Sequence, residues 1–297
     1  MMNGERPTLG FIGLGKVGQT LARRLYLQGY TISALWNRHP EAAADLAERV
    51  QSHVVESPSS VVRQAAITFL TVSDDALSAL ASTLLVEDLS GRAVIHTSGA
   101  LDLDVLSALE ANGAMIGSLH PAYPFADVVA SVDGLSGAVF ALQASHQRLY
   151  NDLHQIVLDL NGHTMVIKPG DKTLYHAALV LASNYGVTLY ALAQNLLHHV
   201  GATSSASQKI LDSLLTGMLN NLRTHSPAEA LTGPLVRGDV QTVQAHLQAL
   251  QHYDSALYDL YRQLGSLTLP LAEARGTEVS SIRRLLQEDH HDTTDHS

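Results

Sequence analysis

A glycine-rich segment near the N-terminus, Leu9 to Gly18, constrains the fold of this chain more than any other feature. A short apolar run ends at Gly13, and an apolar, helix-forming stretch follows directly after Gly18, which predicts a strand, a tight turn and a helix. The glycines have the spacing G-x-G-x-x-G, which permits the turn, a close approach of the backbone to a pyrophosphate, and tight packing of helix on strand. A purely structural glycine turn is the alternative. We therefore predict a dinucleotide-binding loop at a helix N-terminus, formed by Gly13, Leu14, Gly15, Lys16, Val17 and Gly18.

The second predicted strand, Thr31 to Trp36, ends in Asn37 and Arg38. An NAD site usually places a carboxylate about 20 residues after the glycines, where it binds the ribose 2′-hydroxyl. This chain has no carboxylate at that point, and the guanidinium of Arg38 suits a 2′-phosphate instead. We expect Asn37 and Arg38 to contact the cofactor and the cofactor to be NADP, although Arg38 as an ordinary loop arginine is the alternative.

Strand-like and helix-like segments alternate through the first half of the chain, which predicts an α/β domain with a doubly wound, mostly parallel sheet covered on both faces. The further predicted strands are His53–Val55, Ala66–Thr71, Ala93–His96, Ala114–Leu119, Ala138–Leu142 and Thr164–Ile167. Helices are predicted between them, including one at Asp102–Asn112 and one at Ser145–Leu160.

The pattern changes after Pro169 and Gly170, because only helices are predicted beyond them. They are Leu174–Val200, Ser207–Asn221, Val240–Leu250, Leu257–Glu273 and the short Ser280–Leu286. We therefore predict an NADP-binding domain at residues 1–168, an all-helical substrate and dimerisation domain at 169–287, and a disordered tail at 288–297.

Polar residues follow several predicted strands at the edge of the sheet where such folds bind ligands. Ser73 and Asp74 follow the Ala66–Thr71 strand, and we expect them near the nicotinamide ribose, with helix capping by Asp74 as an equal alternative. His120 and Ser98 follow two successive strands and are candidates to contact the substrate. A histidine that caps its own loop is the alternative for His120.

The long apolar helix that opens the second domain carries polar residues on one stripe. Lys172, His176 and Ser183 are spaced by four and seven residues, and Asn184 lies beside them. Lysine can hold a carboxylate or donate to a carbonyl, and histidine suits general acid chemistry near neutral pH. A solvated Lys172 and a structural His176 remain the alternatives.

Composition excludes some classes of function. The net charge of −10 argues against a nucleic-acid partner, and no apolar stretch is long and unbroken enough to suggest a membrane span. The chain has no cysteine, which is compatible with a reducing compartment, and we expect a cytoplasmic protein. The tail carries three histidines and three aspartates, but we expect no metal site.

The chain resembles the Rossmann-like proteins that carry a helical DUF2520-type second domain. Four motifs in order carry the resemblance: HTSGAL (96–101), GSLHPAYPF (117–125), KTLYHAALVLASNY (172–185) and LTGPLVRGD (231–239). Such proteins look like distant relatives of pyrroline-5-carboxylate reductase, the β-hydroxyacid dehydrogenases, prephenate dehydrogenase and the F420-dependent NADP reductases. The second domain is expected to be similar to the C-terminal domain of 6-phosphogluconate dehydrogenase.

The resemblance implies an NADP-dependent oxidoreductase that dimerises through its helical domain. Some similar proteins reduce ketopantoate. The β-hydroxyacid dehydrogenases carry a catalytic lysine followed four residues later by asparagine; Lys172 matches the lysine, and His176 stands where the asparagine would be.

The leading prediction is an NADPH-dependent reductase of a small 2-oxo acid, with ketopantoate as the example. Lys172 would bind or polarise the substrate, His176 or His120 would donate the proton, and Ser98 and Asn184 would orient it. The alternatives are an imine reductase of the pyrroline-5-carboxylate type, against which the cationic Lys172 argues, and a dinucleotide-binding sensor or scaffold without turnover.

Overall fold

The computed structural model describes residues 6–85 and 88–287 and divides the chain into two compact units, Met1–Thr188 and Leu189–Ser297. The division falls later than the boundary proposed from the sequence at 168/169. The reason is that the helix beginning at Lys172 is bonded to the strand ends of the first unit. The proposed tail, 288–297, lies outside the described residues.

The first unit is built on one sheet, whose order in the described residues is β2-β1-β3-β4-β5-β6-β7. Neighbouring strands are parallel except for β5 and β6, which are antiparallel. The chain moves to opposite sides of β1 to form β2 and β3, so ligands are expected outside the carboxyl ends of these strands. The predicted fold class is confirmed. The strands are β1 Leu9–Ile12, β2 Ile32–Trp36, β3 Ile67–Leu70, β4 Ala93–His96, β5 Met115–Pro121, β6 Val139–Ala144 and β7 His163–Val166.

Helices cover both faces of this sheet, and each face has its own apolar core because side chains alternate along every strand. Phe11 and Phe69 stack at 4.8 Å on one face, and Ile12 and Leu70 pack on the other. The helices of this unit are α1 Lys16–Leu27, α2 Pro40–Arg49, α3 Pro58–Gln64, α4 Asp74–Thr83, α5 Ser107–Ala111, α6 Val128–Gly134, α7 Gln147–Asp159 and α8 Lys172–Leu179.

Three local features differ from the sequence prediction. The predicted strand at His53–Val55 is wrong, because Val54 makes only an isolated bridge to Leu35. The predicted helix at Asp102–Asn112 begins as a 3₁₀ turn at Leu103–Leu106 before α5. The predicted long helix is interrupted by a π-helical segment, Val180–Asn184, which leads into α9 at Tyr185–His199.

The second unit is helical throughout its described residues. Val243 and Leu247 pack with Leu269 and Ile282 in its core. No described helix is long and apolar enough to span a bilayer. After α9, whose first turn belongs to the first unit, come α10 Ser204–Thr224, α11 Pro227–Ala230, α12 Val240–Tyr253, α13 Ser255–Glu273 and α14 Ser280–Gln287.

Two glycines of the N-terminal loop are expected to respond differently to a methyl group. A Cβ on Gly18 would collide with the Gly13 carbonyl oxygen and lie 2.5 Å from Thr71 Oγ1, whereas a Cβ on Gly15 would meet no atom within 4 Å. Gly18→Ala should lower the free energy of unfolding by ~1–3 kcal/mol, the usual effect of overpacking. Gly15→Ala should change it by less than about 0.5 kcal/mol. Urea denaturation measures both, and equal losses would contradict the assigned packing.

Candidate functional site

The carboxyl ends of β1, β2 and β3 line a cavity of about 600 Å³. Its wall includes six of the residues predicted to bind the cofactor: Gly13, Leu14, Gly15, Asn37, Arg38 and Ser73. The cavity lies at the edge of the sheet where the strand order reverses, as a dinucleotide site in this fold requires.

The loop after β1 is held by hydrogen bonds. Gly13 has a φ of +89°, which only glycine adopts without strain, and its carbonyl oxygen accepts a hydrogen bond from the hydroxyl of Thr71. Asn37 Oδ1 accepts a hydrogen bond from the Leu14 N–H at 3.1 Å. Asn37 therefore supports the loop from the neighbouring strand, a structural task that the sequence did not reveal.

Four of the predicted cofactor residues do not line this cavity. Lys16, Val17 and Gly18 lie in the first turn of α1, where Gly18 provides the close contact with Thr71. Asp74 is the first residue of α4, and the capping position is occupied by Ser73. Capping by Asp74 is therefore not its role in this structure.

A second cavity, of about 710 Å³, lies between the loop after β5 and the helical segment that begins with α8. The structure brings His120, His176, Ser183 and Asn184 together on its wall. Most of the remaining wall is apolar and includes Tyr123, Phe125, Leu179, Val180 and Val187. Such a cavity has the character of a small-molecule site with a few polar groups.

Lys172 is not among the residues that line this cavity. Its side chain is fully buried, and its ammonium donates hydrogen bonds to the Ser98 carbonyl oxygen at 2.5 Å and to Ser118 Oγ at 3.0 Å. Burial lowers the pKa of Lys172 to about 8, while the charges of Asp102 and Asp74 act to raise it. Lys172 thus ties the start of α8 to the ends of β4 and β5.

The imidazole of His120 is held by Tyr175 on α8. Its Nδ1 lies 2.9 Å from the Tyr175 hydroxyl, and the two rings meet edge to face at 5.7 Å. Burial, together with the charge of Lys172 and a smaller effect of His176, lowers the pKa of His120 to about 4. Burial raises the pKa of Tyr175 to about 12. Near pH 7 the hydrogen bond therefore joins a neutral imidazole and a neutral phenol.

Gly99 allows the two histidines to come close to the end of β4. A Cβ at this position would lie 2.7 Å from His176 Cδ2 and 2.8 Å from His120 Nε2, and the two imidazole rings are 6.2 Å apart. Any larger residue would displace one of the rings. The glycine of the HTSGAL motif is thus required by side chains far from it in the sequence.

Ser98 and His96 are used within the turn that follows β4. Ser98 Oγ accepts hydrogen bonds from the Ala100 and Leu101 N–H groups, and the Ser98 N–H donates to His96 Nδ1 at 3.2 Å. Burial, and then the charge of Lys172, lower the pKa of His96 to about 3. Ser98 therefore contributes its carbonyl oxygen to Lys172 and its hydroxyl to the turn, and the predicted contact with substrate stays a prediction.

Sequence reasoning missed Tyr175, Ser118 and Gly99. Tyr175 lies on the same helix as Lys172, but nothing in the spacing indicates that its hydroxyl meets a histidine from β5. Ser118 lies inside a predicted strand, where the alternation of side chains indicates only which face of the sheet a residue is on and not which residue it contacts. The local motifs pointed to the correct segments, and the partners became apparent only when the strands were placed side by side.

Two family models match the chain. Residues 8–99 match the family described as NADP oxidoreductase, coenzyme F420-dependent, and residues 138–268 match the domain of unknown function DUF2520. The first match contains the glycine loop and Arg38, and the second contains α8. The resemblance stated from the sequence motifs is confirmed by both.

Solved structures share the fold. A proposed NADP oxidoreductase from Bacteroides fragilis has a TM-score of 0.73 and 23% identity, covering 89% of this chain and 98% of that one. A pyrroline carboxylate reductase from Plasmodium falciparum with NADP bound has a TM-score of 0.62 and 15% identity, covering 92% of this chain and 100% of that one. The family model matched by residues 8–99 and the Bacteroides fragilis structure are described as NADP oxidoreductases, and the Plasmodium falciparum reductase has NADP bound.

A curated relative with another description also matches. The cytokine-like nuclear factor N-PAC of Drosophila melanogaster is 26% identical over 199 residues, which are 65% of this chain. The match spans 32% of that protein, so most of the N-PAC chain lies outside the aligned region.

Proposed function

We propose that this protein is an NADPH-dependent reductase that transfers a hydride to the carbonyl carbon of a small substrate, with 2-oxo acids of the ketopantoate kind as the first class to test. One observation carries the proposal. A cavity with the glycine loop and a cavity with two histidines both open at strand ends of the same sheet in the same compact unit.

The residues at the first cavity suit NADP. Gly15 leaves open space beside the backbone at the N-terminus of α1, where phosphate oxygens can accept N–H groups. Arg38 is exposed and lines the cavity after β2, where its guanidinium can pair with a 2′-phosphate. The bound cofactor supplies the hydride, and the protein holds the phosphates.

Removal of the Arg38 guanidinium should weaken the binding of NADPH and not that of NADH. We expect Arg38→Ala to weaken NADPH binding by about 1.5–3 kcal/mol, the size of a charge-assisted hydrogen bond, and to leave NADH binding nearly unchanged. Fluorescence titration of both cofactors measures this. Arg49→Ala is the matched control, because Arg49 is an exposed arginine on α2 that pairs with Asp45 and does not line the cavity. An equal loss for both cofactors would contradict the role of Arg38.

The residues at the second cavity suit binding and protonation of the substrate oxygen. His120, kept neutral by burial and oriented by Tyr175, presents its Nε2–H as a donor for the substrate oxygen. The Nε2–H of His120 would hydrogen-bond the carbonyl oxygen as it becomes negative, and a proton from His176 or from water would complete the alcohol. The nearby ammonium of Lys172 stabilises the negative charge that develops on this oxygen.

The pH dependence of kcat/KM should show no titration of His120 between about pH 5 and 7, because His120 is neutral there. His120 has a pKa of about 4, because burial and the charge of Lys172 disfavour its protonated form. We predict kcat/KM that is flat between about pH 5 and 7, since His120 stays neutral, and that falls as the pH rises through about 8, where Lys172 loses its proton.

The matching variant is His120→Ala, which should lower kcat by ~10²–10³-fold, as when one oxyanion donor is lost, without weakening NADPH binding. His163→Ala, an exposed histidine on β7, is the control and should retain wild-type kinetics. A rising limb of kcat/KM near pH 6.5 that disappears in His120→Ala would contradict the neutral donor.

An imine reductase is the second candidate, although the nearby charge of Lys172 opposes a protonated imine. Lys172 does not line the cavity, however, and its ammonium is bonded to Ser98 and Ser118, so it offers no direct contact to a substrate nitrogen. Among the described wall residues of this cavity there is no lysine or arginine. NADPH oxidation with a panel of 2-oxo acids and cyclic imines separates the two substrate classes, and no turnover with either would favour a dinucleotide-binding sensor.

We also propose that the protein is a homodimer formed through its helical unit. The helix α10 carries a row of exposed apolar side chains, and Leu189 and Val200 of α9 are exposed as well. A contiguous apolar surface of this kind usually forms an interface. The exposed large apolar residues of α10 are Ile210, Leu214, Leu215, Met218, Leu219 and Leu222.

Charges placed in this row should separate the subunits. We expect a dimer for the wild-type protein and a monomer for the double variant Leu214→Glu and Met218→Glu, by light scattering at micromolar concentration. Gln244→Glu, on an exposed position of α12, should stay dimeric. A monomeric wild-type protein, or a double variant that remains a dimer, would contradict the proposed interface.

A further inference from the structure

A path of hydrogen bonds leads from the buried ammonium of Lys172 to a carboxylate. Lys172 Nζ donates to Ser118 Oγ at 3.0 Å, and the Ser118 hydroxyl donates to Gln143 Oε1 at 3.4 Å. Gln143 Nε2 in turn donates to Asp102 Oδ1 at 2.7 Å. Every donor in the path points away from Lys172 and toward Asp102, so the dipoles of the two intervening side chains favour a positive charge at one end and a negative charge at the other.

The fold fixes the members of this path. Ser118 on β5 and Gln143 on β6 are directly opposite each other in the antiparallel register, and both are buried. Asp102 follows β4, and its second oxygen accepts the Gly170 N–H at 2.9 Å, in the turn just before α8. The carboxylate is therefore held between the sheet and the segment from which Lys172 projects.

Lys172 needs this support because a buried ammonium is costly. It forms no ion pair with a carboxylate of the described residues, and two of its three N–H donors are used by Ser98 and Ser118. The third N–H has no acceptor among the described residues.

We propose that Ser118, Gln143 and Asp102 are positioning residues that keep Lys172 charged and fixed, with Asp102 as its counter-ion at the far end of a two-residue bridge. This inference rests on the proposed function, because it gives Lys172 its electrostatic role at the reacting carbonyl. It extends the site to side chains that line neither the cavity beside the glycine loop, here called the glycine-loop cavity, nor the cavity that contains His120 and His176, here called the histidine cavity.

Other charged and titratable groups also face Lys172. Asp74, at the start of α4, acts in the same direction as Asp102 and raises the pKa of Lys172. His96 and His120 are influenced by the ammonium, which lowers the pKa of each. None of these groups is removed in the variants below, so a change in Lys172 reports on the bridge.

The charge state of Lys172 can be measured directly. The chain has only four lysines, Lys16, Lys168, Lys172 and Lys209, so ¹³Cε-lysine labelling gives a simple spectrum in which Lys172→Met assigns the resonance. Ser118→Ala and Gln143→Leu each break the bridge while Asp102 remains. We expect each to lower the pKa of Lys172 by about one unit, the smaller end of the effect of a nearby opposite charge.

Activity supplies the second readout. The falling limb of kcat/KM should move to lower pH by the same amount in both variants, with NADPH affinity unchanged, which a general loss of packing would not produce. Ser118→Thr keeps the hydroxyl and should retain the wild-type limb. Asp102→Asn should act as Gln143→Leu does, whereas its control Asp104→Asn, an exposed carboxylate two residues away, should not.

The outcomes are distinguishable. An unchanged pKa of Lys172 in both Ser118→Ala and Gln143→Leu, or equal effects of Asp102→Asn and Asp104→Asn, would overturn the inference even if carbonyl substrates are reduced. If Gln143→Leu does not fold, Ser118→Ala decides alone. If these variants lower the pKa of Lys172 but the wild-type protein reduces no substrate, the bridge is supported and the proposed function is contradicted instead.

Discussion

The burial of one lysine ammonium is the interaction on which the arrangement of the site depends. Lys172 opens α8, and its bonds to the Ser98 carbonyl and the Ser118 hydroxyl connect that helix to the ends of two central strands. A buried charge tolerates little displacement, because each lost hydrogen bond leaves it further desolvated. The histidine cavity between α8 and the loop after β5 is a consequence of this connection.

The same charge organises the chemistry around it. Burial and repulsion from Lys172 keep His120 and His96 neutral near pH 7, and the hydroxyl of Tyr175 holds the ring of His120 through Nδ1. Gly99 leaves room for both cavity histidines. The result is a polar cluster that combines a fixed positive charge with a neutral, oriented donor, which is suited to stabilising an oxygen that becomes negative.

The sequence predicted the sheet, the glycine loop and the helical second half, because each depends on local patterns of apolar residues and glycines. It also predicted that His120, His176 and Asn184 face one cleft. It did not predict that Lys172 is fully buried and absent from the cavity wall, or that Tyr175 contacts His120, because both depend on which strands lie beside α8. The short strand predicted at His53–Val55 failed because three residues give too little pattern to separate a bridge from a strand.

The central claim is that the buried charge of Lys172 serves the reaction and not cofactor binding. Lys172→Met tests it most directly, since an apolar side chain of similar length fills the buried space and such replacements are often neutral for stability. NADPH affinity and turnover are measured on the same folded variant. The account predicts a dissociation constant within about twofold of wild type and a kcat reduced by ~10²–10³-fold. A Lys172→Met protein that keeps full turnover, or that folds but loses NADPH binding, would contradict it.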